Sequence, residues 1–267
     1  MKLCWDRDNI MSRDLEGRIA LITGSGTGLG RAMAVKMAER GAEVIINFSR
    51  SFAEAEEAAD LCRVAGSLAQ TVQADVSTAE GCAALAEIAG QKGRLDILIN
   101  NAGITRHARD HANLYALNKD DFMDVYSVNV VGPYLALQAL KPLLLAAQAH
   151  SGRPSAVLNT SSIGGILADG SSVAYLASKG ALNTMTRALA RALAPRIRVN
   201  AVCPGFIGTR WLKDSMDEDA FARQVAKVEA ATPLAVASGP DDIADSALFL
   251  ISDASRHITG ELLKVDA

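Results

Sequence analysis

The sequence predicts one α/β domain, a Rossmann fold with a doubly wound, roughly seven-stranded parallel sheet covered by helices on both faces. Three observations lead there. Short β-branched runs alternate with longer alanine-rich segments along the whole chain. The runs are apolar throughout, without polar alternation, as expected of strands buried on both faces. A glycine-rich turn stands directly between the first run and the first helix-length segment, where open α/β sheets take their ligands.

In chain order the strands are Ile19–Thr23 (IALIT), Val44–Asn47 (VIIN), Ala69–Ala74, Ile97–Asn100 (ILIN), Ser155–Thr160 (SAVLNT), Ile197–Val202 (IRVNAV) and Leu262–Val265 (LLKV). The helices are Arg31–Arg40, Phe52–Ala65, Thr78–Gln91, Asp120–Leu145, Val173–Leu193 and Pro240–Ile251. No repeat, low-complexity tract or shift in composition marks a boundary. Residues 15–267 are therefore expected to form one domain behind an N-terminal extension, residues 1–14.

Composition excludes several classes of function. A net charge of −3 offers no basic face for phosphate backbones, and 4% aromatic residues offer few stacking platforms, so nucleic acid is not an expected partner. Four well-separated cysteines, Cys4, Cys62, Cys82 and Cys203, suit free thiols in a reducing cytoplasm better than disulfides or zinc. The N-terminus lacks the continuous apolar stretch of a signal peptide. The segment from Tyr134 is broken by Gln138, Lys141 and Pro142, so no membrane span is expected.

The turn reads Thr23-Gly24-Ser25-Gly26-Thr27-Gly28-Leu29-Gly30. Its glycines permit a close approach of backbone to ligand, and the helix start that follows offers N–H groups to a pyrophosphate. A triphosphate loop would need Gly-Lys-Ser/Thr at the helix start, whereas Gly30 precedes Arg31-Ala32. At the end of the second strand, Phe48-Ser49-Arg50-Ser51 carries no carboxylate to hold ribose hydroxyls. Arg50 with the serine hydroxyls can bind a 2′-phosphate, which favours NADP(H) over NAD(H).

Tyr175-Leu176-Ala177-Ser178-Lys179 places a phenol and an ammonium at i and i+4 on one helix face. Ser162 follows a strand and precedes Gly164-Gly165, in a mobile loop at a strand's C-terminal end, and Asn129 lies in a candidate helix where a buried amide needs a partner. With TGSGTGLG at Thr23, ADV at Ala74, NNAG at Asn100 and PGFIGT at Pro204, these segments resemble the classical short-chain dehydrogenase/reductase family, in the family's order, over roughly Leu15 to Val265. The resemblance implies a catalytic tetrad of Asn129, Ser162, Tyr175 and Lys179. It implies that Asp75 and Val76 edge the adenine pocket, that Asn101, Ala102 and Gly103 line the cofactor groove, and that Pro204, Gly205, Ile207 and Thr209 face the nicotinamide. Tyr175 and Lys179 would also touch the cofactor. NNAGITR and PGFIGT resemble in particular the 3-oxoacyl-(acyl-carrier-protein) reductases.

The chemistry asked of such a tetrad is hydride transfer to a carbonyl carbon with proton delivery to its oxygen. A free phenol with pKa about 10 is a poor match to neutral pH. One cation about 4 Å away at an effective dielectric of 20 supplies roughly 4 kcal/mol, enough to lower it by about three units. Lys179 is expected to be that cation. Ser162 would hydrogen-bond the substrate oxygen and Asn129 would anchor a water relaying protons to Lys179.

The substrate is expected to be a small carbonyl or alcohol, gripped by loops 105–119 and 206–235. Gly164, Trp211 and Leu212 are candidate substrate contacts, with Trp211, Leu212 and Met216 forming either a lid or an ordinary amphipathic helix. Arg106, Arg210 and Lys213 are candidates to flank the same mouth. His107 and His111 are spaced like metal ligands but have no further ligands at a recognisable spacing, so no metal is expected. A nucleotide-sugar epimerase and a non-catalytic NAD(P)-sensing protein are the competing functions. The first lacks its glycine spacing and longer C-terminal region, and the second predicts damage to an intact Tyr–Lys–Ser set. Long apolar helices, above all Asp120–Leu145 and Val173–Leu193, point to self-association as a dimer or tetramer.

Overall fold

A computed structural model of the protein describes residues 13–209 and 217–267. Seven parallel strands form one sheet: β1 Ile19–Ile22, β2 Glu43–Phe48, β3 Ala69–Gln73, β4 Ile97–Asn100, β5 Ser155–Thr160, β6 Ile197–Pro204 and β7 Leu262–Val265. Their spatial order is β3-β2-β1-β4-β5-β6-β7. The order reverses between β1 and β4, so the crevice beyond their C-terminal ends is the natural ligand site. The pairing there is in close register, with Ile22 beside Ile99 and Asn100 beside Asn159.

The unbroken apolar strands have a simple cause. Ala20 and Ile22 of β1, with Val44 and Ile46 of β2, meet Met33 and Met37 of helix α1 (Gly28–Glu39) on one face. The intervening Ile19, Leu21 and Ile45 meet the other face, where Leu85 of α3 (Ala79–Gly90) and Leu137, Leu140 and Leu144 of α5 (Gly132–Ser151) pack. Each such aliphatic side chain contributes roughly 2 kcal/mol by leaving water. Helix α2 (Phe52–Val64) completes the first face; α7 (Val173–Leu193) lies on the second.

Three elements differ from the expected ones, one of them a short helix at Gly164–Leu167 in the segment expected as a mobile loop. The predicted helix Asp120–Leu145 is a longer composite of α4 (Lys119–Tyr126), a π-helical turn at Ser127–Val131, and α5 running on to Ser151. Its length and apolar composition would suffice to cross a membrane, yet its buried stripe belongs to the core. Pro142 is accommodated inside α5 on the solvent side, beside exposed Gln138. The region expected as loop 206–235 contains a helix, α8 (Glu218–Ala231), capped by Asp217, whose carboxylate accepts from Ala220 N at 2.7 Å. Nothing in α8 is fully buried, although Phe221, Val225 and Val228 stand at helical spacing. Helix α9 (Pro240–Ile251) precedes β7, and a short α6 (Gly164–Leu167) follows β5. Arg210, Trp211, Leu212, Lys213, Met216, Cys4 and most of the N-terminal extension lie outside the described residues.

At the N-terminal edge of the sheet a polar cavity of about 310 Å³ is lined by Arg18, Arg94, Asp96, His150 and Arg153 among others. Its charges serve one another: Arg18 and Arg153 both pair with Asp253, at 2.6 and 2.8 Å, and Arg94 Nε lies 3.5 Å from Asp96. That cluster closes the edge remote from the strands' C-terminal ends.

Candidate active site

The glycine-rich turn is held by polar side chains from three strands. Thr23 Oγ1 accepts from Asn101 N and Ala102 N, both at 3.0 Å, while Asn101 Nδ2 donates to the carbonyls of Thr23 and Gly24. Asn47 Oδ1 accepts from Gly24 N at 3.2 Å, and its amide donates to Ala74 O at 3.0 Å, tying the turn to the ends of β2 and β3. Ser25 Oγ donates back to Ile22 O at 2.7 Å.

The glycines are there for clearance. Gly24 has φ +61°, and a Cβ on it would lie 2.9 Å from Ala102 Cα. A Cβ on Gly30 would lie 2.6 Å from both Asn101 Nδ2 and Gly24 O. Gly28, at φ +55°, would present its Cβ to Thr209 Cγ2 at 3.6 Å, so the PGFIGT segment borders the turn. Thr27, the residue capping α1, makes no side-chain bond to the first turn, which leaves those N–H groups for a ligand. This narrow cradle of backbone donors, which side chains would fill, fits a dinucleotide pyrophosphate.

Beyond the turn, Phe48 is buried and Ser49 and Arg50 are exposed at the end of β2. Asp75 accepts from Ser77 N and Oγ at 2.9 and 2.7 Å, and these bonds, helped by the nearby Arg50 charge, hold its carboxyl below the usual range. The structure thus brings Arg50 and Asp75 together on one rim. Val76 is buried, with its carbonyl 3.0 Å from where a Gly132 Cβ would sit, so it joins the rim to α5. Gly205 N bonds Val265 O, and Ile163 N bonds Pro204 O at 2.9 Å, so the segment after β6 lies against the segment carrying Ser162.

Asn129 sits in the π turn, 1% exposed. Its Oδ1 accepts from Ile104 N at 2.9 Å, and its Nδ2 donates to Ile104 O and Ser178 Oγ, both at 3.0 Å. Both amide hydrogens are therefore taken, and a relay water would find none to accept. Ser178 Oγ passes the chain on to Tyr175 O at 2.7 Å. Ser162 directly precedes the turn into α6, with its Oγ accepting from Gly164 N at 3.0 Å. Gly164 is buried, and a Cβ there would meet Leu176 at 2.7 Å, so it gives close packing on α7.

Tyr175 and Ser162 are joined by a side-chain hydrogen bond. Lys179 is 3% exposed, lies 5.6 Å from the centre of the Tyr175 ring, and donates from Nζ to Thr160 O at 2.8 Å. The electrostatics differ from the sequence expectation. Burial pushes the Tyr175 phenol above its ordinary value, opposed by the Ser162 bond, and pushes Lys179 down to about 8. The ammonium donates to a carbonyl and lies over the Tyr175 ring.

A glycine-rich cradle at the strand ends and a Tyr–Ser–Lys set, its lysine buried, now share one crevice. A family model described as "Enoyl-(Acyl carrier protein) reductase" matches residues 24–267. The chain belongs to the short-chain dehydrogenase/reductase family. It is an oxidoreductase of that family with the family's Rossmann-like fold. An uncharacterised oxidoreductase of Methylorubrum extorquens is 38% identical over 93% of this chain and 96% of its own. A 3-oxoacyl-(acyl-carrier-protein) reductase of Staphylococcus aureus is 33% identical over 92% and 96%. The crystal structure of a short-chain type dehydrogenase/reductase from Mycobacterium marinum superposes with a TM-score of 0.83, at 30% identity, covering 95% of this chain and 96% of that one.

Several residues that build this dehydrogenase/reductase site were missed in the sequence: Thr23, Asn47, Ser161, Ser178 and Asn183. Their one signal was polarity inside apolar runs, and every one lies at or beside a strand end or on α7. His107 is exposed and His111 half-buried, and no group of three metal-ligating side chains occurs among the described residues.

Proposed function

We propose that the protein interconverts a ketone and a secondary alcohol using NADP(H), with Tyr175 as the proton donor and acceptor. The observation that carries this reading is the Tyr175–Ser162 hydroxyl pair, backed by a buried Lys179, in the crevice that also holds the glycine cradle. Bound nicotinamide supplies the hydride to the carbonyl carbon, or takes it from the alcohol. Tyr175 gives its proton to the substrate oxygen, and Ser162 donates to that oxygen as negative charge develops. Lys179 would keep a positive charge near the phenol and would hydrogen-bond the nicotinamide ribose. Asn129 ties Ile104, in the loop after β4, to α7 through Ser178.

The residues that would hold the dinucleotide are the turn from Gly24 to Gly30, Phe48, Ser49 and Arg50, Asp75 and Val76, Asn101 to Gly103, and Pro204, Gly205, Ile207 and Thr209. Preference for the phosphorylated cofactor is supported by exposed Arg50 and by the lack of a carboxylate at the end of β2. Among substrates, 3-oxoacyl thioesters are favoured by the similarity to the Staphylococcus aureus reductase. Met123 on α4, Val131 and Tyr134 on the next helical stretch and Val173 on α7 are apolar and exposed, which supports pairing of subunits in a dimer or tetramer. Free buried thiols at Cys62, Cys82 and Cys203 are consistent with work in the cytoplasm.

The test is NADPH oxidation against a panel of ketones, sugars, steroids and 3-oxoacyl thioesters. Turnover should fall at least about a hundredfold in Tyr175→Phe while cofactor binding survives. Tight cofactor binding with no turnover on any carbonyl would overturn the reading.

A further inference from the structure

The end of β5 is fastened to α7 by two side chains one helical turn apart. Lys179 Nζ holds the Thr160 carbonyl at 2.8 Å. Four residues on, the Asn183 carboxamide accepts from Ser161 Oγ at 2.6 Å. The other end of that amide donates to Gly165 O at 3.2 Å. Cys203 Sγ, near the end of β6, lies 3.8 Å from the same Asn183 oxygen. Ser162 therefore stands between two residues, Ser161 and Gly165, that hang on one buried amide. Gly165 is pressed against the helix as well, since a Cβ on it would lie 2.6 Å from the Lys179 carbonyl carbon.

A carboxamide only 6% exposed needs a donor for its oxygen and acceptors for its nitrogen. Asn183 directs its bonds at the two flanks of Ser162. We propose that Asn183 is a positioning residue, holding Ser162 from both sides so that its hydroxyl meets the Tyr175 phenol and the substrate oxygen. This rests on the reading of Tyr175 and Ser162 as the reacting pair. Asn183 itself need touch neither cofactor nor substrate.

Leucine at this position would keep the volume and release both flanks. A misplacement of about 1 Å costs up to roughly a hundredfold in rate. The acidity of Tyr175 should respond too, because the Ser162 bond is what opposes the effect of burial on the phenol. Lys179 of its own helix lies over the Tyr175 ring, and Ser162 at the end of β5 bonds the Tyr175 side chain. Cys203 of β6 faces Lys179, and Asp121 and Asp124 of α4 are paired with Arg106.

The experiment uses the full chain and compares Asn183→Leu, Ser161→Ala and their double variant with Ser162→Ala and Tyr175→Phe. Asn183→Leu should lower kcat about ten- to a hundredfold, leave cofactor affinity unchanged, and move the alkaline limb of the reductive pH profile upward. Ser161→Ala should act in the same direction by less, and the double variant should be no worse than Asn183→Leu, because both remove one shared bond. Wild-type kcat and pH profile in a folded Asn183→Leu would overturn the positioning role, while losses in Ser162→Ala and Tyr175→Phe would leave the catalytic reading standing. Full activity in those two would sink the catalytic reading itself. If Asn183→Leu does not fold, Ser161→Ala decides, and an unchanged pH limb there overturns the proposal.

Discussion

Lys179 spends its buried ammonium on a backbone group: Nζ donates to the carbonyl of Thr160 at 2.8 Å, two residues before Ser162. The charge thus ties α7 to the strand end that precedes Ser162, and it does so at a cost in solvation. Burial pushes this ammonium down to about 8 from its usual value of 10.5.

That shift has a consequence for stability. With the folded value below the unfolded one, the unfolded chain holds more protons between about 8 and 10.5, so stability contributed by this group rises with pH across that window. The full rise is about 3 kcal/mol. Lys179→Met removes it. In denaturant melts the variant's stability relative to wild type should be greatest at neutral pH and decline by about that amount toward the alkaline end. A difference independent of pH would contradict a buried charge.

Tyr175 should behave as a proton holder in the ligand-free protein. Burial raises its phenol, and the Ser162 bond pulls the other way. The tyrosinate absorbance of wild type minus Tyr175→Phe should therefore appear only above the range of a free phenol. Ser162→Ala should push it higher still. Ionisation well below that range, without cofactor, would show that Lys179 governs the phenol after all.

Gly30 leaves no space for a methyl group. An alanine Cβ would lie 2.6 Å from Gly24 O, a backbone atom, and from Asn101 Nδ2. Gly30→Ala should lose about 1–3 kcal/mol of stability and weaken cofactor binding, since the same contact shapes the cradle. Thermal melts with a cofactor titration measure both. A variant binding cofactor as tightly as wild type would show that the cradle is not where the pyrophosphate lies.

Arg50 should decide between cofactors. A charge-assisted hydrogen bond is worth about 1.5–3 kcal/mol, so Arg50→Ala should cut kcat/KM for NADPH roughly ten- to a hundredfold and leave NADH nearly unchanged. Equal losses with both cofactors would assign Arg50 to the neighbouring Asp75 carboxylate, whose acidity it already influences.

Much of this was legible in the primary structure. All seven strands stand within two residues of their expected bounds, because an apolar run covered on both faces needs nothing but its own composition. The α8 helix was missed although two signals for it were present, Asp217 as a capping residue and Phe221, Val225 and Val228 at i, i+4 and i+7. The π turn was not legible, since one extra residue per turn leaves no compositional mark.

By itself the sequence determined the sheet and the glycine-rich turn and singled out the candidate reacting groups, because these depend on local pattern. Only the tertiary structure decided what those groups face. It turned Lys179 to Thr160, committed both amide hydrogens of Asn129, and hung the two flanks of Ser162 on Asn183. The physical reason is that a buried hydrogen bond joins atoms far apart in sequence, and its strength and its effect on acidity depend on distance and burial.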